Sequence, residues 1–87
     1  MEILVRVSSE FYESLISQIP KAAHPHSILQ SGLKARRYPG SAFLDVVNIR
    51  CNEAEAEMLL LTAIRLCPQA AFQIYEGIML AQRRANS

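Results

Sequence analysis

The residues of this chain whose types and spacing could do chemistry are two histidines, two cysteines, a serine pair and one aspartate within an apolar run. His24-Pro25-His26 offers two imidazoles two positions apart, the beginning of a metal-ligand set. Two ligands are too few without Cys51 or a carboxylate, and Pro25 makes the pair a loop feature, so no metal is expected. Cys51 stands just before the start of a predicted helix, where a thiol pKa can be lowered. A nucleophile also needs a base, and the order of elements brings neither histidine to Cys51. Ser8-Ser9 marks a strand-to-helix junction, where free backbone N–H groups could hold an anion. An acylphosphatase-type site at that junction needs a glycine-containing loop, and Arg6-Val7-Ser8-Ser9-Glu10 has no glycine. Asp45 interrupts apolar neighbours. It either faces outward or is buried with a raised pKa, and the outward reading is favoured.

The elements that must position these groups come from one small domain. Eighty-seven residues, 51% hydrophobic and 20% charged, suit a globular fold with a modest core. There is no apolar run of about 18 residues and no leader pattern, so neither a membrane span nor export is expected, and a cytoplasmic location is. Net charge is +1, so a basic surface can only come from segregation of charge. Cys51 and Cys67 flank one predicted helix and are therefore about 24 Å apart, too far for a disulfide. Two reduced thiols fit the same location.

Glu2 to Val7 alternates as a strand, with Ile3, Val5 and Val7 on one face. A helix follows from Ser8 or Ser9 to about Gln18, with Phe11, Leu15 and Ile19 as its stripe. Pro20 allows one extra turn, and His24-Pro25-His26 reads as a connector because Pro25 disfavours helical geometry at His24. Ile28 to Arg37 and Ala42 to Arg50 read as two strands joined at Tyr38-Pro39-Gly40-Ser41. Gly32 within the first of them suggests a bulge or a close neighbour. Asn52 and Glu55 resemble a capping box for a helix from Glu53 to about Leu66. Its core stripe is Ala56, Leu59, Leu60, Ala63, Ile64 and Cys67. Met58 and Leu61 lie beside it, an apolar arc wider than one sheet contact needs. Gln69 to about Ala81, rich in Phe72, Ile74, Tyr75, Ile78 and Met79, reads as the last strand. Residues 1–82 form the domain and 83–87 a basic tail.

The order β-α-β-β-α-β predicts an α+β, ferredoxin-like sandwich: a four-stranded antiparallel sheet with two helices on one face. With strand order 4-1-3-2, and strands 1 and 3 taken as parallel, the turn after strand 2 shares an end with the finish of strand 4. Lys34, Arg36, Arg37, Tyr38, Arg83 and Arg84 then form a basic end for an acidic or phosphate-bearing partner, protein or nucleic acid. Glu10, Glu13, Glu53, Glu55 and Glu57 collect at the other end with both helix N-termini. Strand 1 lacks the aromatics of an RNA-binding sheet, and Phe43 and Tyr75 are expected to be packed.

The strand around Asp45 is apolar on both sides, which normally means burial on both. A second copy is expected to cover the open face, through Leu4, Leu44 and Val46. The expected function is a small non-enzymatic interaction or regulatory module, homodimeric through its sheet, with no cofactor. The alternative is a small dimeric enzyme, or a small-molecule-binding protein, with His24, His26, Tyr12, Asp45 and Asn48 around a pocket between sheet and helices.

Overall fold

The computed structural model describes residues 2–37 and 44–86 of the chain. The element order is β1 (Glu2–Ser8), α1 (Ser9–Ile16), α2 (His24–Gln30), β2 (Leu33–Arg37), β3 (Leu44–Asn52), α3 (Glu53–Leu66) and α4 (Pro68–Ala85). The chain is α+β as expected, but the four-stranded ferredoxin-like sandwich is not found. Among the described residues the sheet has three strands, in the order β1-β3-β2, and four helices accompany it. Tyr38, the turn through Ser41, and Ala42 and Phe43 lie outside the described residues.

The expected fourth strand is a helix. Pro68 ends α3 and occupies the first turn of α4, where its missing N–H is not needed. The segment's β-favouring side chains suggest a strand, yet its buried residues are Ala70, Ala71, Ile74 and Gly77, at helical spacing. Packing on that stripe outweighs the weaker intrinsic preference of Phe, Ile and Tyr. The helix continues through Arg83 and Arg84 to Ala85.

The segment Ile28–Arg37 is a strand only from Leu33 onward. Ile28 to Gln30 complete α2, whose second residue is Pro25. A proline in the first turn starts a helix rather than breaking one. Ile28 and Leu29 face the core, and the Tyr12 hydroxyl donates to the Leu29 carbonyl at 2.8 Å, fastening α2 to α1. Gly32 then admits the chain to the sheet. A Cβ there would fall on Val47 Cγ1 and within 3.1 Å of Ile49 Cγ1, so the close-neighbour reading of this glycine holds.

β1 and β3 pair antiparallel, with Ile3 opposite Cys51, Val5 opposite Ile49 and Val7 opposite Val47. All six are buried, and they form the sheet's contribution to the core. Leu15 of α1, Leu29 of α2, Leu59 and Ala63 of α3 and Ile74 of α4 close over that face. Asn52 caps α3 by accepting from the Glu55 N–H at 2.8 Å, and Glu55 accepts from the Asn52 N–H at 3.0 Å. The predicted capping box is therefore complete.

α4 runs down the free edge of β1, beside which the fourth strand was expected. Gln73 accepts from the Ser8 N–H at 2.8 Å and donates to Ser8 Oγ at 2.7 Å. One turn later Gly77 lies against the Leu4 carbonyl and the Val5 backbone. An unpaired strand edge is thus covered by a helix, a common way of blocking unwanted pairing. Among the described residues, no helix is long and apolar enough to cross a membrane.

Candidate functional site

β1 and β3 pair antiparallel, which corrects the parallel arrangement from which the shared basic end was argued. Arg37 pairs with Leu44, at the end of the sheet where β2 finishes and β3 begins. The last turn of α4 reaches the groove that contains Ile3, Glu53 and Glu57 through Gln82 and Ala85, and the cleft that contains Leu44 through Arg84. Ile3 pairs with Cys51, seven residues along β3 from Leu44, or about 23 Å. The shared basic end required these strands to be parallel, and they are not. The same correction splits the acidic end: α1 starts after Ser8, opposite Val46, and α3 starts after Asn52, opposite Glu2. Lys34 is exposed on β2, and Arg36 meets Asp45 at 3.5 Å on the surface. Such an exposed pair contributes little to stability, at most about 1 kcal/mol.

The groups of the enzyme alternative do not converge. Asp45 is exposed beside Arg36, as the outward reading expected. Tyr12 spends its hydroxyl on Leu29, and burial, with Glu13 adding, raises its pKa. Asn48 shares the outer sheet face with Val46, opposite the core, with its Oδ1 unpartnered. His24 is exposed and lies 3.9 Å from Glu55, whereas His26, two residues on, is buried with an unpartnered Nδ1. Among the described residues, no group of three His, Cys, Asp or Glu side chains could hold a metal ion.

Cys51 and Cys67 are both buried free thiols. Burial, then Glu55 and Glu2, push the Cys51 thiol up to about 11, the reverse of an activated nucleophile. Below the ordinary value of 9.0 both folded and unfolded chains hold this proton. Between pH 9.0 and about 11 the unfolded chain loses it first, so folding stability falls as pH rises through that window. Urea unfolding of the wild type should therefore weaken more steeply over that range than unfolding of Cys51→Ala. Equal slopes would refute the burial-controlled thiol.

Leu4, Leu44 and Val46, the expected dimer contacts, do share one side of the sheet. They line a cleft between it and α4, with Arg6, Gln73 and Leu80. The chain already covers much of this surface itself: Val46 is 5% exposed and Leu4 is half-buried. At about 110 Å³ the cleft is smaller than metabolite sites, which begin near roughly 300 Å³.

Among the described residues, several of the most exposed large apolar side chains lie instead on the helical hairpin of α3 and α4. Phe72 is 78% exposed, Leu61 58%, Ile64 54% and Tyr75 51%. Helix geometry explains why they gather. On α3 the core takes Ala56, Leu59 and Ala63, and Met58, Leu61 and Ile64 fall on the opposite side of the same helix. The two helices run antiparallel from the Cys67-Pro68 junction. Leu60 therefore comes level with Tyr75, Glu57 with Ile78 and Glu53 with Gln82, and these six line an open groove of about 540 Å³. Ile64, assigned to the core stripe from sequence, and Tyr75, expected to be packed, are both corrected to surface positions. The wide apolar arc of α3 was the legible sign of this surface. No known protein family, curated protein or solved structure matches the chain.

Proposed function

We propose that the protein is a small non-enzymatic interaction module that acts as a homodimer, joined through the outer face of the α3–α4 hairpin rather than through the sheet. The observation that carries this reading is the exposure of Phe72, Leu61, Ile64 and Tyr75 by more than half each on adjacent helices. Isolated exposed apolar residues are common, but a contiguous patch of large ones is characteristic of contact surfaces. A second copy is the favoured occupant because the α3 stripe has Glu57 toward one end and Arg65 toward the other, both exposed. Such a stripe is complementary to its own reverse. The enzyme alternative has less support, because its five candidate groups lie on different faces and levels.

The experiment is dilution from millimolar to micromolar concentration, followed residue by residue by amide NMR shifts. The reading expects shifts to concentrate in 57–65 of α3 and 72–79 of α4, with α1 and β2 unmoved. Spectra independent of concentration and characteristic of a monomer would overturn it. Shifts confined to Leu4, Leu44 and Val46 would overturn it in favour of the sheet.

A further inference from the structure

Resting on that reading, we infer the register of the dimer: α3 packs antiparallel against α3 of the second copy, on a two-fold axis passing beside Leu61. The exposed outer stripe of α3 consists of Glu57, Met58, Leu61, Ile64 and Arg65. Its spacing is the same read forward or backward from Leu61. Glu57 and Arg65 stand four residues to either side, and Met58 and Ile64 three.

An antiparallel two-fold maps each position onto its mirror about Leu61. Leu61 meets Leu61 of the second copy, Met58 enters one layer with Ile64 of the second copy, and Glu57 enters the same layer as Arg65 of the second copy. Every apolar residue of the stripe thereby gains an apolar neighbour, and each acid gains a base. The two Glu57 carboxylates stay eight residues apart along the axis, about 12 Å, beyond the Debye length of about 8 Å at physiological salt. A parallel pairing in register would set Glu57 against Glu57 and Arg65 against Arg65, which is repulsive at both ends.

α4 flanks this axis. Residues at the level of Leu61 in α4 are Ile74 and Tyr75, by the hairpin register already described. Phe72 and Met79 lie one turn to either side of Tyr75. The open α3–α4 groove lies on the Glu53 side of Leu61, so the same rotation places the grooves of the two copies at opposite ends of the interface. The packing is that of a four-helix arrangement with one long helical hairpin from each chain.

The register is tested by charge exchange at two exposed positions. Glu57→Arg sets two guanidinium groups together in each of the two layers, the new one against that of Arg65. Arg65→Glu sets two carboxylates together in each layer, the new one against that of Glu57. Each variant alone should weaken the homodimer by roughly tenfold or more. In an equimolar mixture the Glu57→Arg homodimer still holds two bases in each layer and the Arg65→Glu homodimer two acids in each, but the heterodimer has a pairing that neither homodimer has. One of its layers pairs the two introduced side chains, and the other pairs the native Glu57 with the native Arg65, so each layer holds one acid and one base. The mixture should therefore form a heterodimer of near wild-type affinity. Light scattering and native mass spectrometry read both results, and circular dichroism verifies that each variant is folded. Two variants that both stay dimeric, or a mixture that forms no heterodimer, would overturn the register. If the mixture fails while Leu61→Lys still dissociates the wild-type dimer, the register falls and the hairpin face stands.

Discussion

Replacing Leu61 with lysine is expected to convert the dimer into a folded monomer of 9.7 kDa. Leu61 is more than half exposed within its own chain, so the substitution removes no core contact and should leave helix content unchanged. Its effect falls on association. The two-fold passes beside this residue, so one substitution sets two ammonium groups together in an apolar seam. Neither has a carboxylate within its own layer, because Glu57 and Arg65 are committed to each other. Desolvating such charges without partners is expensive, and the dissociation constant should rise by about 100-fold or more, some 3 kcal/mol. Leu44→Lys is the control. Leu44 lies on the sheet's outer face, and there the dimer should persist. If Leu44→Lys dissociates the protein and Leu61→Lys does not, the interface belongs to the sheet.

The second large effect concerns the fold itself. Gly77→Val should destabilise the chain by about 3 kcal/mol, the upper range for overpacking, and Gly77→Ala should destabilise it less. The alanine variant is the sharper test because its sign is unusual. In an exposed helix interior, glycine to alanine stabilises by about 1 kcal/mol. At Gly77 the added Cβ would sit 2.8 Å from the Leu4 carbonyl oxygen and 3.2 Å from Val5 Cα. Both atoms are backbone in a paired strand, so the helix must retreat from β1. Retreat also loosens Gln73, whose two hydrogen bonds to Ser8 hold the upper end of the same contact. Urea unfolding at one fixed protein concentration measures this, since dimerisation adds concentration-dependent stability. A gain in stability for Gly77→Ala would mean that α4 does not press on β1 this closely.

Local signals made part of this fold legible from sequence, and the rest depended on contacts that no local signal carries. β1 was legible from strict alternation, and α3 from the Asn52–Glu55 capping box followed by an apolar stripe. Both signals are short-range and act at the residues that show them. α2 was obscured because Pro25 reads as a breaker at His24, although in a first turn it is a starter. α4 was obscured because Phe72, Ile74, Tyr75 and Ile78 favour strands as isolated residues. The deciding facts were Pro68 at its start and a Gly77 that only a close helix–strand contact requires. Once the last element is a helix, the sheet ends at β1 and the predicted four strands become three.

The candidate surface was legible in the same partial way. The arc on α3 was visibly too wide for one sheet contact, since Met58 and Leu61 lay beside a stripe that was already complete. Its continuation onto α4 was hidden by the strand assignment, which gave Phe72 and Tyr75 two alternating faces instead of one helical surface. The basic end rested on strand direction. Antiparallel pairing of β1 with β3 removes that argument, although Arg84 does line the same cleft as Leu44, the residue paired with Arg37. On the outer side of β3, Val46 is buried while Leu44 stays 43% exposed. The cover over Val46 comes at least partly from the chain's own α4 rather than wholly from a second molecule.

The central claim, a dimer formed through the α3–α4 face, is tested most directly by the molar mass of the wild type in solution. Light scattering at micromolar concentration should give about twice 9.7 kDa, and the Leu61→Lys variant, measured alongside, the mass of one chain. A wild type that scatters as a single chain across the micromolar range would contradict the account.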